Sequence, residues 1–113
     1  MKKKAVSPRQ GFHVLLTNER AQAAAMNIGP GGAEGGPANR HRGADQWLYV
    51  IAGKGVAMVG RQRTSLRTGS LVLIERGRTH EIKNIGTTPL RTLNFYVSPA
   101  YTRAGKEKAA GRS

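Results

Sequence analysis

Two of the three histidines in this 113-residue chain stand in patterns that a metal site would produce. His41 follows Asn39 with one residue between them and is followed by Asp45-Gln46. His80 closes a run that begins at Gly69 and passes through Gly77, and Asn84 comes four residues later. Imidazole nitrogens and amide oxygens can both ligate a divalent metal, and imidazole accepts Zn, Fe, Ni, Cu or Mn without choosing among them. Alternate residues of a strand share a face. Asn39 and His41 therefore point the same way, as do His80, Ile82 and Asn84. Glu81 and Lys83 lie on the face opposite His80, and two charges mark that face as the wet one, which turns His80 inward. Gln46, Leu48 and Val50 share a face opposite Trp47, Tyr49 and Ile51. Asp45 then points away from Gln46 and is a poor substitute ligand. His13 belongs to neither pattern and reads as structural or exposed.

The elements that must position these residues are short strands. Phe12–Leu16 and Ala21–Ile28 are apolar stretches joined at Asn18-Glu19-Arg20. The alanine run is too short and too closely flanked by glycine to hold as a helix, so it reads as a strand. Gly29 to Pro37 carries five glycines and two prolines and reads as a loop rather than a helix or central strand. It lacks the Lys-Ser/Thr and following helix of a phosphate cradle, so a wide turn at a barrel rim is its expected role. Beyond it, glycine-bearing turns separate Trp47–Ala52, Val56–Val59, Gln62–Leu66, Leu71–Ile74, Thr79–Asn84 and Leu90–Val97. Short strands at this cadence indicate an all-β sandwich or barrel.

Composition narrows the classes. One domain with one modest core is expected at this length. There is no cysteine, hence no disulfide framework and no thiolate site. No run approaches the roughly 18 apolar residues of a membrane span, and no apolar stretch follows the basic start as a signal peptide would require. A soluble cytoplasmic protein is the expectation. The net charge of +13 invites a nucleic-acid reading, but residues 1–10 and 101–113 supply +7 of it. These read as a basic disordered arm and a basic flexible tail around a domain at 11–100. With few aromatics to stack bases and no recognition motif, nucleic acid is not the expected partner. Both faces of Trp47–Ala52 are apolar, so a second copy of the chain is expected to cover one of them.

Together these residues resemble the cupin superfamily, in its small single-domain bacterial form. The first cupin motif, G-x5-H-x-H, three or four residues, then E-x6-G, is matched by Asn39-x-His41, four residues, Gln46, six residues and Gly53. The second, G-x5-P-x-G-x2-H-x3-N, is matched at Gly69, Gly77, His80 and Asn84, with Glu75 where proline is usual. The resemblance spans residues 30–97 and extends to the closing strand Arg91–Pro99. It implies a double-stranded β-helix (jelly-roll) barrel holding one divalent metal. Carried over by position, the ligands are Asn39, His41, Gln46 and His80, with Asn39 in place of a histidine and Gln46 in place of the glutamate. Such a set carries no negative charge, and its amide oxygens are weaker donors than imidazole or carboxylate. The resemblance also implies a small polar ligand in the barrel, with dioxygenase, isomerase, decarboxylase or lyase chemistry, or binding without catalysis. The candidate proton carriers are Glu75, Glu81 and Tyr96, and strand parity turns Glu81 outward.

Overall fold

The computed structural model describes residues 1–36 and 43–101, and the expectations for Asn39, His41 and all but the first residue of the 101–113 tail lie outside them. Nine strands are present among the described residues and no helix: β1 Gly11–Thr17, β2 Gln22–Ile28, β3 Ala33–Gly36, β4 Asp45–Ala52, β5 Lys54–Val59, β6 Gln62–Arg67, β7 Leu71–Ile74, β8 His80–Asn84 and β9 Leu90–Val97. They form a five-stranded sheet in the order β1-β2-β9-β4-β7 and a four-stranded sheet in the order β3-β8-β5-β6. All pairings are antiparallel.

The core between the sheets follows from strand alternation. Leu48 and Val50 of β4, Ile82 of β8, Met26 and Ile28 of β2, and Leu90 of β9 are buried in one apolar cluster with Ala57, Leu66 and Ile74. A smaller cluster at one end joins Ala24, Ala44, Tyr96 and Ala100, with Phe12 and Tyr101 packed on it. The Phe12, Tyr96 and Tyr101 rings meet edge-on or tilted, with centroids 4.5–6.3 Å apart, the arrangement their quadrupoles favour.

Two glycines of the sequence motifs have distinct physical reasons. Gly53 sits at φ +100°, and a Cβ there would lie 2.6 Å from the Pro89 carbonyl oxygen and 2.9 Å from Leu90 Cα. The end of β4 can approach the start of β9 only because that Cβ is missing. Gly77 turns the chain between β7 and β8 at φ +81° with open space around it.

The glycine-rich segment departs from expectation. Ala33–Gly36 is not loop but an edge strand, paired with β8 from Ala33↔Lys83 to Gly36↔His80. Glycine weakens a central strand, but an edge strand is satisfied by one row of ladder bonds and needs no apolar alternation. Residues 1–10 form no strand, yet Asn27 Nδ2 donates to the Ser7 and Arg9 carbonyls at 2.7 Å each, which ties the inner end of the arm to β2.

Candidate functional site

Register brings Gln46 and His80 to the same end of the barrel. At the opposite end, β5 begins beside the end of β8, with Gly55 opposite Asn84, and Gly53 abuts Pro89 and Leu90. The first residues of β4 and β8 and the last of β9 therefore share the other mouth. Gln46 is 1% exposed and His80 6%, both on the inner faces that continue into Leu48 and Ile82. His80 Nδ1 lies 3.5 Å from the Arg78 carbonyl oxygen, a long contact.

Gln46 is held by a row of buried polar side chains. Its Nε2 donates to Asn94 Oδ1 at 2.8 Å, Asn94 Nδ2 donates to Thr92 Oγ1 at 2.9 Å, and the Thr92 hydroxyl donates to the Met26 carbonyl at 2.7 Å. Asn94 and Thr92 are fully buried on the inner face of β9. Gln46 Oε1 is left buried without a hydrogen-bond partner. An acceptor in that condition costs about 1–3 kcal/mol, and a group that satisfies it must bring a proton or positive charge. The inner mouth therefore fits a divalent cation by its donor chemistry: an imidazole on β8 and an unpaired amide oxygen on β4.

The remaining candidates separate cleanly. Asp45 Oδ1 accepts the Arg76 backbone N–H at 2.8 Å and faces the Arg76 guanidinium at 3.4 Å, away from the barrel. Glu75 is exposed in the turn after β7. Glu81 faces outward, half-buried, with Lys83 at 3.6 Å. Of the three proton carriers read from the sequence, Tyr96 alone lies inside, at 1% exposure and directly across from Gln46. His13 sits outside the barrel, its ring against the Arg9 and Gln10 carbonyls at 3.1 Å. Asn84 spends its whole amide on backbone, donating to Ile28 and Thr88 and accepting from Gly86, and so fastens the far end of the barrel.

Sequence reasoning missed Glu34. It stands directly opposite Ile82 in the β3–β8 register and so shares the inner face of that sheet, diagonal to His80. It is half-buried, whereas its neighbours Ala33 and Gly35 are exposed. Reading 29–37 as a loop removed the parity argument that would have found it. Among the described residues no three His, Cys, Asp or Glu side chains gather as a metal cluster. That set excludes amides, and His41 lies outside the described residues.

Comparison with known proteins agrees with this architecture. The family description "Cupin domain" matches residues 24–96. An uncharacterized protein of Bacillus subtilis is 28% identical over 91 residues, covering 75% of this chain and 48% of its own length. A protein of Thermotoga maritima named as oxalate-binding is 28% identical over 82 residues, covering 73% of this chain and 66% of its own length. The matches thus span about half and about two-thirds of these curated relatives. Among solved structures, a Bacillus halodurans protein superposes with a TM-score of 0.77 at 23% identity, over 90% of this chain and 78% of that one. A Thermotoga maritima protein described as a predicted oxalate decarboxylase gives 0.70 at 25% identity, over 78% and 79% of the two chains. With both sheets and the matched span in agreement, this chain belongs to the cupin family.

Proposed function

We propose that the barrel holds one divalent metal ion at the mouth shared by Gln46 and His80 and uses it to bind a small carboxylate. Asn39 and His41 belong to the segment joining the His80 side of β3 to the Gln46 side of β4, and they complete the proposed ligand set. The observation that carries this reading is the buried Gln46 Oε1 with no partner. Two imidazoles and two amides leave the charge of a divalent ion uncompensated, and an uncompensated charge in a low-dielectric interior is costly. A dianion such as oxalate would neutralise it. The oxalate-binding protein of Thermotoga maritima is in line with that ligand class. When bound, the ion would supply positive charge to the ligand's carboxylate oxygens.

Metal analysis of protein purified without chelators or metal-affinity resin tests the reading, with close to one equivalent expected. His80→Ala should lose the metal and keep the fold. Less than about a tenth of an equivalent in the wild type after reloading with Zn(II), Co(II) or Mn(II) overturns the metal site. Calorimetry with oxalate should then show binding to the loaded protein and none to the His80→Ala variant.

Glu34 favours a second reading, in which the bound carboxylate is also turned over. It gives the inner surface an acid–base group that the ligand set itself lacks. Consumption of oxalate by the loaded protein, abolished in Glu34→Gln with binding retained, is the expected result of that reading. Binding without consumption returns the protein to the role of a binding module. A homodimer through the outer face of β4 belongs to the same proposal.

A further inference from the structure

The polar row behind Gln46 has a direction, and the direction decides which end of the Gln46 amide faces the site. The Met26 carbonyl can only accept, so the Thr92 hydroxyl spends its proton there, at 2.7 Å. What remains on Thr92 Oγ1 is acceptor capacity. Asn94 must then present its NH2 to Thr92, which turns Oδ1 toward β4. Gln46 must in turn present Nε2 to that oxygen, and Oε1 is the atom left over. Rotating the Gln46 amide by a half-turn would set two carbonyl oxygens against each other, and correcting that by rotating Asn94 would set its oxygen against Thr92, whose hydroxyl could turn to it only by giving up the Met26 carbonyl. All three side chains are buried, Gln46 at 1% and the other two at 0% exposure, so no water relieves a reversed arrangement.

We infer that Asn94, oriented by Thr92, is a positioning residue that holds the Gln46 carbonyl oxygen toward the barrel mouth and thereby makes the site selective for a cation or a proton-donating ligand. The inference rests on the metal reading above. It concerns residues outside the ligand set, which act on the ligand only through Gln46. The role predicts a specific pattern of dependence. Removing the bias alone, as in Thr92→Val, leaves two amide orientations, and selection of one from two costs only about a factor of two in affinity. Removing the acceptor itself, as in Asn94→Leu, frees the Gln46 side chain, and loss of such a supporting partner costs about tenfold in metal affinity or more.

The test is a double-mutant cycle on Co(II) affinity, followed by the absorbance of the bound ion, with thermal midpoints confirming that each variant is folded. Gln46→Leu and Asn94→Leu should each weaken Co(II) about tenfold or more, and the double variant should be no weaker than Gln46→Leu alone. Asn94→Asp, protonated on the oxygen that faces Thr92 so that it donates to Thr92 Oγ1 as the amide did, still presents an acceptor to Gln46 and should match the wild-type affinity. Additive losses in the double variant overturn the inference, because Asn94 would then act other than through Gln46. So does full affinity in Asn94→Leu while Gln46→Leu is weakened, an outcome that leaves the metal site standing. If Gln46→Leu binds Co(II) as the wild type does while His80→Ala does not, Gln46 is no ligand and the positioning role falls with it.

Discussion

Gln46 replaces the carboxylate that its motif usually carries, and its surroundings explain how the chain tolerates a neutral side chain there. Nε2 has an acceptor waiting in Asn94 Oδ1, an arrangement that a carboxylate would spoil by opposing oxygen to oxygen. The row can reverse: Thr92 would donate to Asn94 Oδ1, and Asn94 Nδ2 to the new carboxylate, at the loss of the Met26 carbonyl's bond. Gln46→Glu should therefore fold, with the metal-free protein destabilised by about 1–3 kcal/mol near neutral pH. Burial holds the introduced carboxyl above its unfolded value. The variant should therefore be closest to wild type below that unfolded value and lose stability as pH rises through the raised one. Urea unfolding at pH 4 and pH 8 measures this, and adding Zn(II) at pH 8 should restore the loss. A variant less stable at pH 4 than at pH 8 would contradict the argument. Part of this site was legible beforehand: strand parity turns His80 inward and sets Asp45 on the face opposite Gln46, while only the motif resemblance assigned Gln46 to the site. The role of Asn94 was not, because a polar residue alternating with apolar ones on β9 carries no sign of which partner it meets 48 positions away.

At the scale of the elements, the turns and the closely packed strand ends set what could be read. The second motif's spacing places His80 at the head of β8 because Gly77 turns the chain just before it, and the structure agrees. β3 escaped because Ala33-Glu34-Gly35-Gly36 offers no apolar alternation, and its pairing is imposed by β8 rather than by its own residues. The consequence was functional, since Glu34 was hidden with it. Two of the three motif glycines, Gly53 and Gly69, also differ in a way sequence could not show. Gly53→Ala meets both a left-handed backbone and a 2.6 Å clash with the Pro89 carbonyl. It should cost about 2–4 kcal/mol. Gly69→Ala, at φ +91° with nothing within 4 Å, should cost about 1 kcal/mol from backbone strain alone. Chemical denaturation of the two variants compares them directly, and equal losses would mean that the approach of β4 to β9 relaxes freely.

Across the whole molecule, the outer faces of the two sheets differ in kind. On the β3-β8-β5-β6 sheet, register gathers Lys54, Arg63, Arg67 and Lys83 outside, with Glu81 among them. On the other sheet, Leu73, Trp47 and Phe95 form one cross-strand row and Leu71, Tyr49 and Leu93 the next. Trp47, Tyr49 and Phe95 are each 41% exposed, Leu73 43% and Leu71 63%. The apolar second face of β4 read from the sequence is therefore present and uncovered within one chain. A chain of net charge +13 repels its copies, and two copies can meet with least repulsion through these two rows, which carry no charge. A self-complementary contact of the usual size would bury about 1,200–2,000 Å² in total. Sedimentation at about 10 μM should accordingly give a dimer, and Phe95→Arg should give a folded monomer. Salt supplies the discriminating measurement. Screening weakens repulsion between the basic surfaces and leaves apolar contact intact, so dimerisation should strengthen from low salt to about 0.5 M. An interface built from ion pairs would weaken over the same range, and a wild-type monomer throughout would remove the second copy from the proposal.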